Sequence, residues 1–163
     1  MTINAETFSQ VLGKIKTSVA RKLTSVYGEE MNYEKICKEF ENDLVGIVSF
    51  MGEVSFIMLI MLKDEHIKKI SKHFVGVEMD SHSDEIGDLI SEVANIVFGD
   101  IEMDLKEINL HIERSLPTIL KGKDMQPVLR KKAPSIILGF GKDNVLVELI
   151  GTTDDTLHKK PGS

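Results

Sequence analysis

The chain has 163 residues, 42% of them hydrophobic and 28% charged, the length and composition of one soluble globular domain with room for a sizeable core. Cys37 is the single cysteine, which excludes an intramolecular disulfide and a cysteine-based zinc site; the opening MTINAETFSQ lacks the charged and apolar regions of a signal peptide, so a reducing cytoplasm is the expected compartment. The longest apolar run, Phe56 to Leu62, is far short of the roughly 20 residues a membrane helix needs, and a net charge of −6 repels polyanions at long range, so neither membrane insertion nor nucleic-acid binding is expected.

Phe8, Val11, Leu12, Ile15, Val19, Leu23 and Val26 fall at helical spacing and predict one amphipathic helix from Ala5 to Tyr27, capped by Asn4 and ended by Gly28. The charged segment Glu29 to Glu41 has no period and reads as a connection with room for a short helical turn. LVGIVSF and VSFIMLIML then flank Met51, Gly52 and Glu53, the pattern of a β-hairpin. Asp64 is the expected cap of a short helix whose Ile67, Ile70 and Phe74 share a face and which stops at Gly76. Ser81 and Asp84 have a loose capping-box spacing ahead of a long stripe, Ile86, Leu89, Ile90, Val93, Val97 and Ile101, which predicts a helix from Ser83 to Lys106.

Short strands are expected at His111 to Glu113, Thr118 to Leu120, Ser135 to Phe140 and Val145 to Ile150, the last two joined by a GKDN turn. Between them, Lys121, Lys123, Arg130, Lys131 and Lys132 mark a basic loop in which Pro127 and Pro134 discourage regular structure. Helices alternate with hairpins rather than with single strands. The expected class is therefore α+β, a mostly antiparallel sheet with helices packed on it, in one domain over residues 1–151 followed by a frayed polar tail, 152–163.

Several chemistries lack their required residues. Neither GKD triplet has the Ser or Thr and the upstream glycine of a phosphate-binding loop, and no Gly-x-Ser-x-Gly elbow occurs. His66, His73, His82, His111 and His158 are scattered, and no aromatic residues interleave the basic loop to stack on bases.

One surface stands apart. At about 100° per residue, Asp88, Glu92, Asn95 and Gly99 form a polar ridge on the long helix, roughly opposite Ile86, Val93 and Val97. Glu-x-x-Asn also occurs at Glu29 with Asn32 and at Glu39 with Asn42, but only Glu92 and Asn95 lie mid-helix, on one face. Gly99 is a second oddity, because glycine inside a helix costs about 1 kcal/mol relative to alanine and usually marks the close approach of another backbone.

The stretch DLISEVANIVFGDI resembles the signature of the CheX and CheC chemotaxis phosphatases, which act on the aspartyl phosphate of CheY-type response regulators. The family pattern, Asp or Ser, three residues, Glu, two residues, Asn, and a later Pro, is matched by Asp88, Glu92, Asn95 and Pro117. The order of elements agrees over most of the chain, and one signature helix rather than two makes it more similar to CheX than to CheC.

The resemblance implies a phosphatase of the two-component chemotaxis system. Asn95 would enter the receiver's active site and position the attacking water, and Glu92 would pair with the receiver's lysine. Asp88 and Gly99 would line the docking surface, while Pro117 shapes the turn after the helix. The chain would carry no metal or cofactor of its own, since the Mg2+ of such a complex belongs to the receiver, and the branch commonly forms homodimers. Asn95 is expected to face solvent in the free protein. The alternative on the same fold is a noncatalytic module that binds a receiver or a flagellar-switch component.

Overall fold

A computed structural model describes residues 5–34, 41–129 and 133–151. The first stripe forms α1 (Ala5–Tyr27), with Val11, Ile15, Val19, Leu23 and Val26 buried and Phe8 exposed near its outer end. Gly28 closes it in the left-handed conformation, φ 78°, with its N–H donating to the Thr24 carbonyl at 3.1 Å. The expected Asn4 cap lies outside the described residues.

The connection after α1 contains β1 (Tyr33–Glu34), which periodicity did not reveal: it has two residues, both exposed, and exists through its pairing with a strand more than a hundred residues later. The expected helical turn falls partly on residues 35–40, outside the described residues. The hairpin forms as predicted, β2 (Leu44–Gly52) pairing with β3 (Phe56–Leu62) from Leu44↔Leu62 to Phe50↔Phe56.

Next comes α2 (Asp64–Val75), stopped by Gly76 at φ 77°. Asp64 is its first residue rather than its cap, a place taken by Lys63. The Asp64 N–H donates to Asp43 Oδ2 at 2.9 Å, and its carboxylate accepts the Ser81 N–H at 2.8 Å. Ser81 is thereby buried against α2 instead of capping the next helix. Ile67 and Ile70 are fully buried, whereas Phe74 is 38% exposed.

The predicted helix from Ser83 to Lys106 is two helices, α3 (Ile86–Gly99) and α4 (Ile101–Lys106), divided at Asp100, where ψ is −9°. Glu85 occupies the cap position of α3 without a side-chain hydrogen bond, so neither Ser81 nor Asp84 caps it. Two physical causes favour the division. Gly99 propagates a helix poorly, and bending there turns buried Ile101 and Leu105 into the core while Asp100 reaches Lys22 at 3.0 Å, Asp104 reaches Arg21 at 3.5 Å and Glu107 reaches Lys14 at 2.8 Å, all on α1. The exposed ion pairs add little energy; the apolar pair supplies it.

The remaining strands are β4 (Ile112–Arg114), one residue later than expected, β5 (Thr118–Lys121), β6 (Ser135–Phe140) and β7 (Val145–Gly151). The GKDN turn joins the last two, with Gly141 at φ 71° and Asn144 at φ 56°. The sheet runs β1-β6-β7-β3-β2-β4, with β5 also on β2, and every pairing is antiparallel. The architecture is α+β, as expected.

The four helices of the described residues share the core on one face of the sheet, with α1 packed across α2, α3 and α4. The other face carries Val45, Leu59, Met61, Leu146 and Ile150 beneath Met125, Leu129 and Ala133, so part of the predicted basic loop is a cover. Arg130, Lys131 and Lys132, like the tail 152–163, lie outside the described residues.

Candidate functional site

The depth of α3 is set where it crosses the sheet. Ala94 is fully buried over Gly46 of β2, and Ile119 of β5 closes the same spot. Leu89, Ile90, Val93, Val97 and Phe98 bury the rest of that side, which turns Asp88 and Glu92 fully outward. Neither carboxylate has an ion-pair partner among the described residues.

Asn95 differs from the expectation of a free, solvent-facing side chain. It is half-buried, and its Oδ1 accepts a hydrogen bond from Arg114 Nη1 at 2.6 Å. The arginine reaches it because of strand register. Arg114 on β4 lies opposite Phe50 on β2, and directly paired residues point to the same face; Phe50 is buried on the helix side, so Arg114 also points there, at the sheet margin. Its Nε lies 3.3 Å from Glu102 Oε1 on α4, an ion pair without hydrogen-bond alignment. One guanidinium thus bridges the two helices across the division at Asp100.

Gly99 closes α3 rather than lying inside a longer helix. Among the described residues no other backbone comes close, which corrects the expectation of a backbone contact: the one group of theirs within 4 Å of a Cβ built there is Arg114 Nη2, at 3.9 Å. Pro117 is displaced from its expected place too. The turn after α4 uses Asn109 at φ 61°, while Pro117 lies between β4 and β5. There Ser115, Leu116 and Pro117 face only Val48 and Ser49 of β2, a bulge pinned by the Ser49 N–H on Ser115 Oγ at 3.0 Å and the Ser115 N–H on the Ser49 carbonyl at 2.9 Å.

The site therefore contains an exposed carboxylate, Glu92, one turn before a restrained carboxamide, Asn95, on a helix of fixed depth. Among the described residues, no cluster of three or more His, Cys, Asp or Glu is placed to hold a metal ion. Arg114 and Glu102 are the members that sequence reasoning missed, since β4 was expected to end at Glu113 and neither residue belongs to the signature.

Residues 44–141, which include every residue of this site, match the family described as chemotaxis phosphatase CheX. The chain belongs to the CheX family. The CheX fold is equally evident in solved structures. CheX from Vibrio vulnificus superposes with a TM-score of 0.75 at 19% identity, over 86% of this chain and 97% of that one. A CheC-like superfamily protein from Shewanella sp. PV-4 gives 0.74 at 18% identity, over 91% and 98%. A CheX–CheY–BeF3–Mg2+ complex from Borrelia burgdorferi gives 0.68 at 19% identity, over 86% and 96%. No curated protein sequence matches the chain. Among the described residues, no helix of this CheX-family chain is long and apolar enough to cross a membrane.

Proposed function

We propose that this CheX-family chain hydrolyses the aspartyl phosphate of a CheY-type response regulator, with Asn95 positioning the attacking water and Glu92 holding the receiver. The observation that carries the reading is the pairing of an exposed Glu92 with a restrained Asn95, one helical turn apart, inside the segment that matches the CheX family. The structure of a relative in complex with CheY, BeF3 and Mg2+ supports the choice of partner.

The chemistry suits a carboxamide. An asparagine side chain donates and accepts hydrogen bonds but is no base at neutral pH, so it can hold a water with a lone pair aimed at phosphorus. The water oxygen bonds to phosphorus, the bond from phosphorus to the aspartyl oxygen breaks, and the receiver's carboxylate leaves as the anion while the water's proton passes to the phosphate formed. A glutamine orients water in this way in GTPases. A Mg2+ bound by the receiver's own acidic residues would supply charge neutralisation at the phosphoryl oxygens, and no residue of this chain is needed to hold it. Glu92, exposed and unpaired, is free to meet the receiver's lysine, and Asp88 extends the same docking edge one turn earlier.

We place the reaction in the cytoplasm and expect the working species to be a homodimer; a monomer mass by light scattering at assay concentration would contradict that part. The test of the function is loss of label from a phosphorylated CheY-type receiver in the presence of the protein. Accelerated loss is expected, and binding without acceleration would favour a noncatalytic interaction module.

A further inference from the structure

We infer that Arg114 is a positioning residue for Asn95, fixing which end of the carboxamide meets the receiver. The inference rests on the phosphatase reading and deepens it. A guanidinium has only donors, so the group 2.6 Å from Arg114 Nη1 must be the amide oxygen; the chemistry itself decides the orientation of the Asn95 side chain. With one lone pair of Oδ1 engaged, the carboxamide keeps two Nδ2 hydrogens and the second Oδ1 lone pair for water and phosphoryl oxygen. A free asparagine would flip between two orientations, and only one of them suits a given water geometry.

The support behind Arg114 is built from three elements. Opposition to Phe50 sets its face, the bulge at Ser115 to Pro117 ends the strand directly after it, and Glu102 on α4 balances its charge at 3.3 Å. Gly99 leaves open the space beside Nη2, 3.9 Å from where a Cβ would stand. The receiver would therefore meet an asparagine already oriented, so that less ordering remains to be done in the transition state.

The experiment compares wild type, Arg114→Ala, Arg114→Lys, Asn95→Ala and the double variant Arg114→Ala/Asn95→Ala on a phosphorylated CheY-type receiver, after circular dichroism has confirmed that each is folded. Arg114→Ala should lower kcat about tenfold while the half-saturating receiver concentration changes less than about twofold. Arg114→Lys, which keeps a donor, should recover part of the loss and takes the place of Arg114→Ala as the test should that variant not fold. In the Asn95→Ala background, where turnover is already near that of the receiver alone, removing Arg114 should leave receiver binding unchanged, as expected of a residue that acts on turnover through Asn95 rather than on docking. The Asn95 side-chain NH2 signals, identified by their loss in Asn95→Ala, should move to the position of solvent-exposed amides in Arg114→Ala. An active wild type with undiminished Arg114→Ala turnover, or unmoved Asn95 signals, would overturn this inference alone. A wild type that does not accelerate phosphate loss would overturn the phosphatase reading and this inference with it.

Discussion

Ala94 of α3 faces Gly46 of β2 with room for one methyl between them: a Cβ added to the glycine would stand at ordinary contact distance, 3.8 Å, from the alanine methyl, while Ile119 Cδ1 at 3.4 Å and Ile60 Cγ2 at 3.0 Å crowd it from the sheet. A side chain larger than a methyl at position 46 would reach α3, whose distance from the sheet determines how far Asn95, the residue after Ala94, projects. Gly46→Val should destabilise the fold by about 1–3 kcal/mol through overpacking, seen as a lower urea midpoint. Because the helix is pushed outward, receiver dephosphorylation should fall even where the protein remains folded; full activity in a folded variant would show that the helix depth is unimportant.

His66 makes stability depend on pH. It is 1% exposed, its Nδ1 accepts the Lys63 N–H at 3.0 Å, and its Nε2 lies 2.8 Å from the Asp143 carbonyl, which together specify the neutral ring protonated on Nε2. Burial is the largest cause of a pKa held below the ordinary histidine value, and Lys63 lowers it further, against the opposing effects of the Asp143 carbonyl and the Glu65 and Asp143 charges. The unfolded state therefore binds the proton first as pH falls. The contribution of the neutral ring is complete above the unfolded pKa, is lost progressively below about pH 6.5, and stops changing below the folded pKa. The urea midpoint should fall on acidification from about pH 7.5 to about pH 5.5, and His66→Gln should flatten that slope.

Glu148 works in the opposite direction. The residue is 3% exposed, on the sheet face away from the helices, with Oε2 lacking a hydrogen-bond partner among the described residues. Burial raises its pKa, opposed by a hydrogen bond from Ser135. A carboxyl whose folded pKa lies above its unfolded value costs stability increasingly as pH rises through that interval. Glu148→Gln, which removes the buried charge and keeps the shape, should stabilise the protein at about pH 8 and less near about pH 5, read as a higher urea midpoint. Equal midpoints for the two proteins at both pH values would show that the buried charge carries no cost.

For Glu92, exposed and unpaired, no structural penalty is expected from truncation. Glu92→Ala should leave thermal stability unchanged within about 0.5 kcal/mol and raise the half-saturating concentration of phosphorylated receiver about three- to tenfold, since its proposed partner is a lysine across the interface. Titration of the receiver in a phosphate-release assay reads both quantities; an unchanged half-saturation would make Glu92 ordinary helix surface.

What the letters revealed and what they hid follows the range of the interactions involved. The stripe from Val11 to Val26 and the hairpin around Gly52 are set by near neighbours, and they form where periodicity places them. The division at Asp100 depends on Ile101 and Leu105 reaching a core shared with α1 from the far end of the chain, and β1 depends on Gly139 and Phe140. Glu92 and Asn95 were visible as a helix face, because their relation is one turn of local geometry. Arg114 was not, since its place beside Asn95 follows from β4 pairing with Phe50, a register no local pattern encodes. The expected turn at Pro117 failed for the same reason: the bulge exists only against β2.

The most direct test of the account follows labelled phosphate on a CheY-type receiver in the presence of the wild-type protein or Asn95→Ala, each shown to be folded. The account predicts accelerated loss with wild type and a rate near that of the receiver alone with Asn95→Ala. Equal acceleration by both proteins would contradict the assignment of the attacking water to Asn95.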